Sequence, residues 1–153
     1  FIPTAAVYPD AIKVLPKCLN DLAKCGIPDS NIDVYDLHFP MSKKELFEHD
    51  VVYICGGSPH YLLHRINEHK FGENLKCFLK KGGIVVGVSA GSIVFAANLP
   101  DNIEVFSALL NVHCSADCSV AEGELDMHGK SCVNLGNEQA IVYDDNGKMF
   151  VIS

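Results

Sequence analysis

The serine at position 89 stands in Gly87-Val88-Ser89-Ala90-Gly91, a G-x-S-x-G spacing whose chemistry is nucleophilic acyl transfer. The flanking glycines lack a Cβ, so a strand and the helix after it can approach closely while the serine takes a strained backbone. Such an elbow pushes the hydroxyl out of the fold at the positive end of the following helix. The bland alternative is a glycine-rich turn whose serine merely caps that helix; the apolar run before Ser89 and the helix-forming residues after it favour the nucleophile. A serine nucleophile needs a base, and the base needs an orienting acid. His113 follows the apolar run 108–112, downstream of Ser89, and Asp101 falls between them. Serine, acid, histidine is one of the orders in which such triads occur. Taken alone, His113 reads as a loop histidine and Pro100-Asp101-Asn102 as a surface turn. Glu104, Glu122 and Glu124 stay open as rivals for the acid.

A second apolar run, residues 51–55, ends in Gly56-Gly57-Ser58-Pro59. Open parallel sheets bind ligands beyond the carboxyl ends of their strands, which brings these glycines toward Ser89. Gly57 then offers one backbone N–H of an oxyanion hole and Ala90, the residue after the nucleophile, offers the other. Ser58 is placed to cap the next helix with Pro59 in its first turn, and Ser58 and His60 are the candidate substrate contacts. A phosphate-binding loop would need wider glycine spacing and a Lys-Ser/Thr ending, which Gly56-Gly57 lacks. His60 and His64 have the spacing of a helical zinc pair, but Tyr61 stands where the catalytic glutamate would be. Cys114, Cys118, His128 and Cys132 carry soft metal ligands at a spacing unlike a standard finger. The expectation for these four is no metal and no disulfide.

The elements that must position these residues follow from periodicity and punctuation. Residues 1–7 read as the end of a strand running into a loop. A helix is expected from about Pro16, with Leu19, Leu22 and Ala23 on one face, stopping at Gly26-Ile27-Pro28. Residues 31–37 read as a strand, and Ser42-Lys43-Lys44-Glu45 as a capping box opening a short helix through Glu48. Residues 51–55 and 84–88 read as buried strands, separated by a helix that turns Leu62, Leu63 and Ile66 to the sheet and by a second helix over 73–81. An apolar helix is expected from Ala90 through Ala97, then a turn at 98–102 and short apolar runs at 103–106 and 108–112. Residues 139–143 and 148–152 flank Asp144-Asp145-Asn146-Gly147, a C-terminal β-hairpin signal. Strands alternating with helices predict an α/β fold, a doubly wound and mostly parallel sheet flanked by helices, as one domain over residues 1–153.

Composition narrows the function classes. Of 153 residues, 48% are apolar and 20% charged, which fits a globular chain with a proper core. A net charge of −7 with no basic cluster argues against a nucleic-acid partner. No apolar run approaches membrane-spanning length and no charged-then-apolar leader opens the chain, so no membrane partner is expected. Seven cysteines, an odd number without a secretion signal, read as reduced thiols in a cytoplasmic protein.

The stretch Tyr53-Ile54-Cys55-Gly56-Gly57-Ser58-Pro59-His60-Tyr61-Leu62-Leu63, followed by Gly82-Gly83 and Gly87-Val88-Ser89-Ala90-Gly91-Ser92, resembles peptidase family S51, that of dipeptidase E. Phe1-Ile2-Pro3-Thr4-Ala5 matches the early strand of that family, and the resemblance spans residues 1–94. It implies the class I glutamine amidotransferase-like fold, with serine where the amidotransferases carry cysteine, and a further strand before Phe1. It implies hydrolysis of short peptides, with N-terminal aspartate preferred by the best-known type, and no metal or cofactor. By position Ser89 resembles the nucleophile, Gly57 and Ala90 the oxyanion donors, His113 the histidine and Asp101 the acid. His113 lies between Val112 and Cys114, where the family has a proline and an aromatic residue. A short peptide is the expected substrate, and homodimerisation is left open. The rival class is a catalytically silent amidotransferase-like domain that binds a small ligand or a protein partner.

Overall fold

Phe1 and Ile2 carry sheet-type hydrogen bonds on both sides. Phe1 N donates to Asp33 O at 2.8 Å and Tyr35 N to Phe1 O at 2.9 Å; Ile2 N donates to Tyr53 O at 2.8 Å and Cys55 N to Ile2 O at 3.0 Å. The computed structural model describes residues 1–115, 132–144 and 148–153, and residues 123–125 by their backbone. It divides into two compact units, Phe1–Val94 and Phe95–Ser153.

In the first unit β1 (Val51–Ile54) pairs in parallel with β2 (Ile84–Gly87), Val51 opposite Ile84 and Ile54 opposite Gly87. Residues 33–35, then 1–2, then β1 and β2 therefore lie side by side with their carboxyl ends together. The crossover from β1 to β2 is made by α3 (Pro59–Glu68) and α4 (Phe71–Lys80). Leu62, Leu63 and Ile66 share one face of α3, and Phe71, Leu75 and Phe78 one face of α4; all six are buried. The capping box at α2 (Lys43–Leu46) is complete: Glu45 N donates to Ser42 Oγ at 3.2 Å and Ser42 N to Glu45 Oε2 at 2.8 Å.

Four local expectations are corrected here. First, α1 spans Pro9–Lys24, so Pro9 takes the first-turn position and Pro16 lies inside the helix. Pro16 has no N–H for the carbonyl of Ile12, but α1 has no buried residue, so solvent can satisfy the freed oxygen. Second, residues 29–31 form a 3₁₀ turn, and the segment after it is extended and bonds Phe1 through its backbone and Thr4 through Leu37 N, without a regular ladder among the described residues. Third, β2 is not buried on both faces: Ile84 is 58% and Val86 36% exposed, and β1 is its ladder partner among the described residues. Fourth, α5 (Ala90–Ile93) is one turn long. Beyond it the backbone is recruited elsewhere: Val105 N and Phe106 N donate to Phe95 O, and Ala97 N donates to Ala108 O. Those bonds replace the helix that Ala96 and Ala97 would otherwise have extended.

In the second unit β3 (Leu109–Asn111) pairs in parallel with β5 (Cys132–Asn134), and β7 (Met149–Ile152) lies between β4 (Gly123–Leu125) and β6 (Ala140–Tyr143), antiparallel to both. Its core gathers Ala96, Phe106, Ala108, Leu110, Val133, Leu135, Met149 and Val151. Residues 103–106 form no strand; Ile103 and Phe106 are nevertheless buried. The β6–β7 pairing supplies both arms of the C-terminal hairpin, closed by Asp144 N donating to Lys148 O and Lys148 N to Asp144 Oδ1, each at 3.0 Å. The turn residues 145–147 lie outside the described residues.

Candidate active site

Ser89 sits between the end of β2 and the start of α5 with φ 51° and ψ −111°, a sparsely populated region that costs roughly 1–3 kcal/mol and needs support from its surroundings. That support is visible. A Cβ on Gly91 would lie 2.3 Å from the carbonyl oxygen of Ile54, and a Cβ on Gly87 2.3 Å from that of Gly91. Only glycine lets the three backbones meet so closely. The Ser89 carbonyl accepts from Ser92 N at 2.9 Å, Ile93 N at 3.1 Å and Ser92 Oγ at 2.6 Å. Gly56 lies flush against this turn: a Cβ there would be 3.1 Å from Ser89 Cβ and 3.6 Å from its Oγ.

Gly57 follows at φ 142° and is packed so tightly against Ala5 that a Cβ would fall 1.9 Å from the Ala5 oxygen. Ser58 N donates to that same oxygen at 2.8 Å, which pins the loop. The amides of Gly57 and Ala90 donate to no backbone carbonyl among the described residues. Cys55, buried behind this loop, is not a rival nucleophile. Burial, reinforced by the neighbouring Cys18, pushes its thiol up to about 12, which keeps it neutral.

In the second unit His113 follows β3 with φ 61°. Its ring Nδ1 stands 2.7 Å from Asn137 Oδ1. Asn137 occupies a tight turn after β5, closed by Gln139 N donating to Gly136 O at 3.2 Å and Gly136 N to Gln139 Oε1 at 3.0 Å.

Residues 1–105, from Phe1 through the Ser89 turn, match the model of Peptidase family S51. The chain belongs to peptidase family S51. It is a serine-type peptidase by that membership. A solved structure of a candidate peptidase E protein from Listeria monocytogenes EGD-e aligns with 100% of this chain and 85% of its own, at a TM-score of 0.71 and 16% identity. At that identity the likeness shows the fold, an α/β arrangement. No curated protein matches the sequence.

The remaining residues expected at this S51 site are placed as follows. The Ser58 hydroxyl accepts from Tyr61 N at 3.3 Å as the cap of α3, and His60 is exposed in the first turn of that helix. His64 is also exposed, 4.0 Å from Glu68. Asp101 is exposed at φ 57° in a turn that Asn102 braces by donating to Leu99 O at 2.8 Å. Glu104, at φ 56°, is held by its own N–H to Asn102 Oδ1 at 2.7 Å. Glu122 and the side chain of Glu124 lie outside the described residues, as do Cys118 and His128. Cys114 and Cys132 are free thiols. Sequence reasoning missed Asn137 altogether. It also missed a chain in the first unit, where His38 Nδ1 lies 2.7 Å from Asp36 Oδ1 and His38 Nε2 lies 2.7 Å from Tyr61 Oη. No helix among the described residues is long and apolar enough to cross a membrane.

Proposed function

We propose that this S51 chain hydrolyses short peptides, of the dipeptidase E type with N-terminal aspartate preferred, through Ser89. The observation that carries the reading is Ser89, held at φ 51° where β2 turns into α5 and packed against Gly56. The Ser89 Oγ attacks the peptide carbonyl while His113 takes its proton; the carbonyl oxygen becomes an oxyanion held by the Gly57 and Ala90 amides. Collapse breaks the C–N bond, and the same proton passes from His113 to the leaving amine. Water then attacks the acyl carbonyl and gives a proton to His113, which passes it to the Ser89 Oγ as the ester C–O bond breaks and the acid leaves. No cofactor takes part in these steps, and Asp101 is the acid that the family pattern offers. Ser58 and His60 border the substrate from the first turn of α3. The proposal includes the finer architecture of the family, a doubly wound amidotransferase-like sheet in one domain, and a cytoplasmic location.

A serine-directed phosphonate tests the nucleophile, together with turnover of dipeptides bearing N-terminal aspartate or a neutral residue. Labelling of the chain but not of Ser89→Ala, with hydrolysis of at least one dipeptide, supports the reading. An unlabelled, inactive chain that still binds dipeptides would instead mark a silent binding domain.

A further inference from the structure

Past their last paired residues, the parallel strands β3 and β5 stay bonded to one another. Leu135 N donates to Asn111 O at 2.8 Å and Cys114 N to Leu135 O at 2.9 Å. His113 and Asn137 are thus delivered side by side where the two strands end, the end at which open α/β sheets place their ligands. The left-handed backbone of His113 and the closed Gly136–Gln139 turn hold both residues in this relation. We infer that Asn137 is the positioning residue for His113, holding its imidazole as the Nδ1–H tautomer and taking the orienting place that Asp101 was expected to fill; this rests on the reading of His113 as the base.

The chemistry is local. An amide oxygen only accepts, so at 2.7 Å the proton must sit on Nδ1. The lone pair then resides on Nε2, the atom that must receive the serine proton. At 2.7 Å the Asn137 oxygen is close enough to take the Nδ1 proton and fix the plane of the ring. Orientation requires an acceptor and not a charge; a histidine-directed asparagine serves cysteine peptidases in this way. Asn137 itself neither gains nor loses a proton during the reaction.

Two measurements test this on the full chain. The first is a long-range ¹H–¹⁵N correlation spectrum of the imidazoles in their neutral form, with His113 assigned by its loss in His113→Ala. Nδ1–H in the wild type, changing to Nε2–H in Asn137→Leu and kept in Asn137→Asp, is the expected result. The second is turnover of aspartyl-p-nitroanilide. In Asn137→Leu kcat should fall on the order of 10- to 100-fold, part of the ~10²–10⁴ that a positioned base contributes, with KM within about twofold. Asn137→Asp, which keeps the acceptor, should restore most of it. An Nε2–H wild-type tautomer, or an Asn137→Leu variant with full kcat alongside an inactive His113→Ala, overturns the proposal while leaving the base reading intact. Full activity in His113→Ala overturns the base reading itself, whatever the tautomer.

Discussion

Replacing Gly91 by alanine tests the packing on which Ser89 depends. The new methyl would start 2.3 Å from the Ile54 oxygen, 2.9 Å from the Ile54 carbonyl carbon and 3.1 Å from the Cys55 oxygen. All three are backbone atoms, so no rotamer change can relieve the contact. Since Cβ atoms essentially never approach closer than 3.0 Å, the start of α5 and the end of β1 must separate by about 0.7 Å. Overpacking of this kind costs about 1–3 kcal/mol, a Tm drop of roughly 2–12 °C for a chain of this size. The same movement parts Ser89 from the Gly56-Gly57 loop that β1 leads into. A displacement near 1 Å costs about 10²-fold in rate when reacting groups must be aligned, so kcat/KM on an aspartyl dipeptide should fall roughly 10- to 100-fold. Thermal unfolding and initial rates on purified Gly91→Ala measure both effects. Gly136→Ala is the comparator for Tm: its Cβ would meet Gln139 Oε1 at an ordinary 3.5 Å, and Tm should barely move. Unchanged Tm and turnover in Gly91→Ala would refute the close-approach argument. Lower Tm with full turnover would show that the turn geometry does not set the position of Ser89.

Three further outcomes are expected. Both Ser89→Gly and Ser89→Ala should lose at least ~10⁴-fold in turnover, but glycine relieves the φ 51° backbone and alanine does not, so urea unfolding should find Ser89→Gly the more stable by about 1 kcal/mol. Ser58→Ala removes the cap of α3 and should cost about 1 kcal/mol in the same assay. Cys55 is raised by burial, then by Cys18, from 9.0 to about 12, so between those values the unfolded chain has lost a proton that the folded chain keeps. Stability must therefore fall as pH rises through that window, by at most about 1.4 kcal/mol per unit. Cys55→Ala should flatten that slope, leaving a residue of the same sign from Tyr53, which burial also raises.

Where a local rule had one reading, it was legible. Ser58-Pro59 with apolar residues at 62, 63 and 66 gave the cap, start and buried face of α3, and Ser42 with Glu45 gave the capping box of α2. Where the rule allows two readings, the surroundings decide between them. Both Pro9 and Pro16 suit a helix start, and the choice of Pro9 depends on α1 being exposed enough to tolerate a second proline. The β-branched run into Gly87 reads as a strand buried on both faces, but burial depends on neighbours that the run itself does not contain. The turn that ends α5 after one turn was equally hidden, because residues 105–108, some ten positions on, take its carbonyl and amide groups.

The candidate site divides along the same line. Ser89 and its glycines are contiguous, so the requirement for close backbone approach is written within five positions, and Gly56-Gly57 adds a second short signature. Asn137, whose oxygen meets the His113 ring, is 24 residues away and reaches it because β3 and β5 are parallel neighbours in register. In sequence Gly136-Asn137-Glu138-Gln139 is simply a turn. A search for a carboxylate passes over it, since it looks for a charge when an oriented base needs an acceptor at Nδ1. Widening that search to asparagine and glutamine would have admitted many residues of this chain. Register selects among them, because the residue that matters must leave the neighbouring parallel strand at the same height as the histidine. Leu135, bonded to both Asn111 and Cys114, sets that height and brings Asn137 to the imidazole.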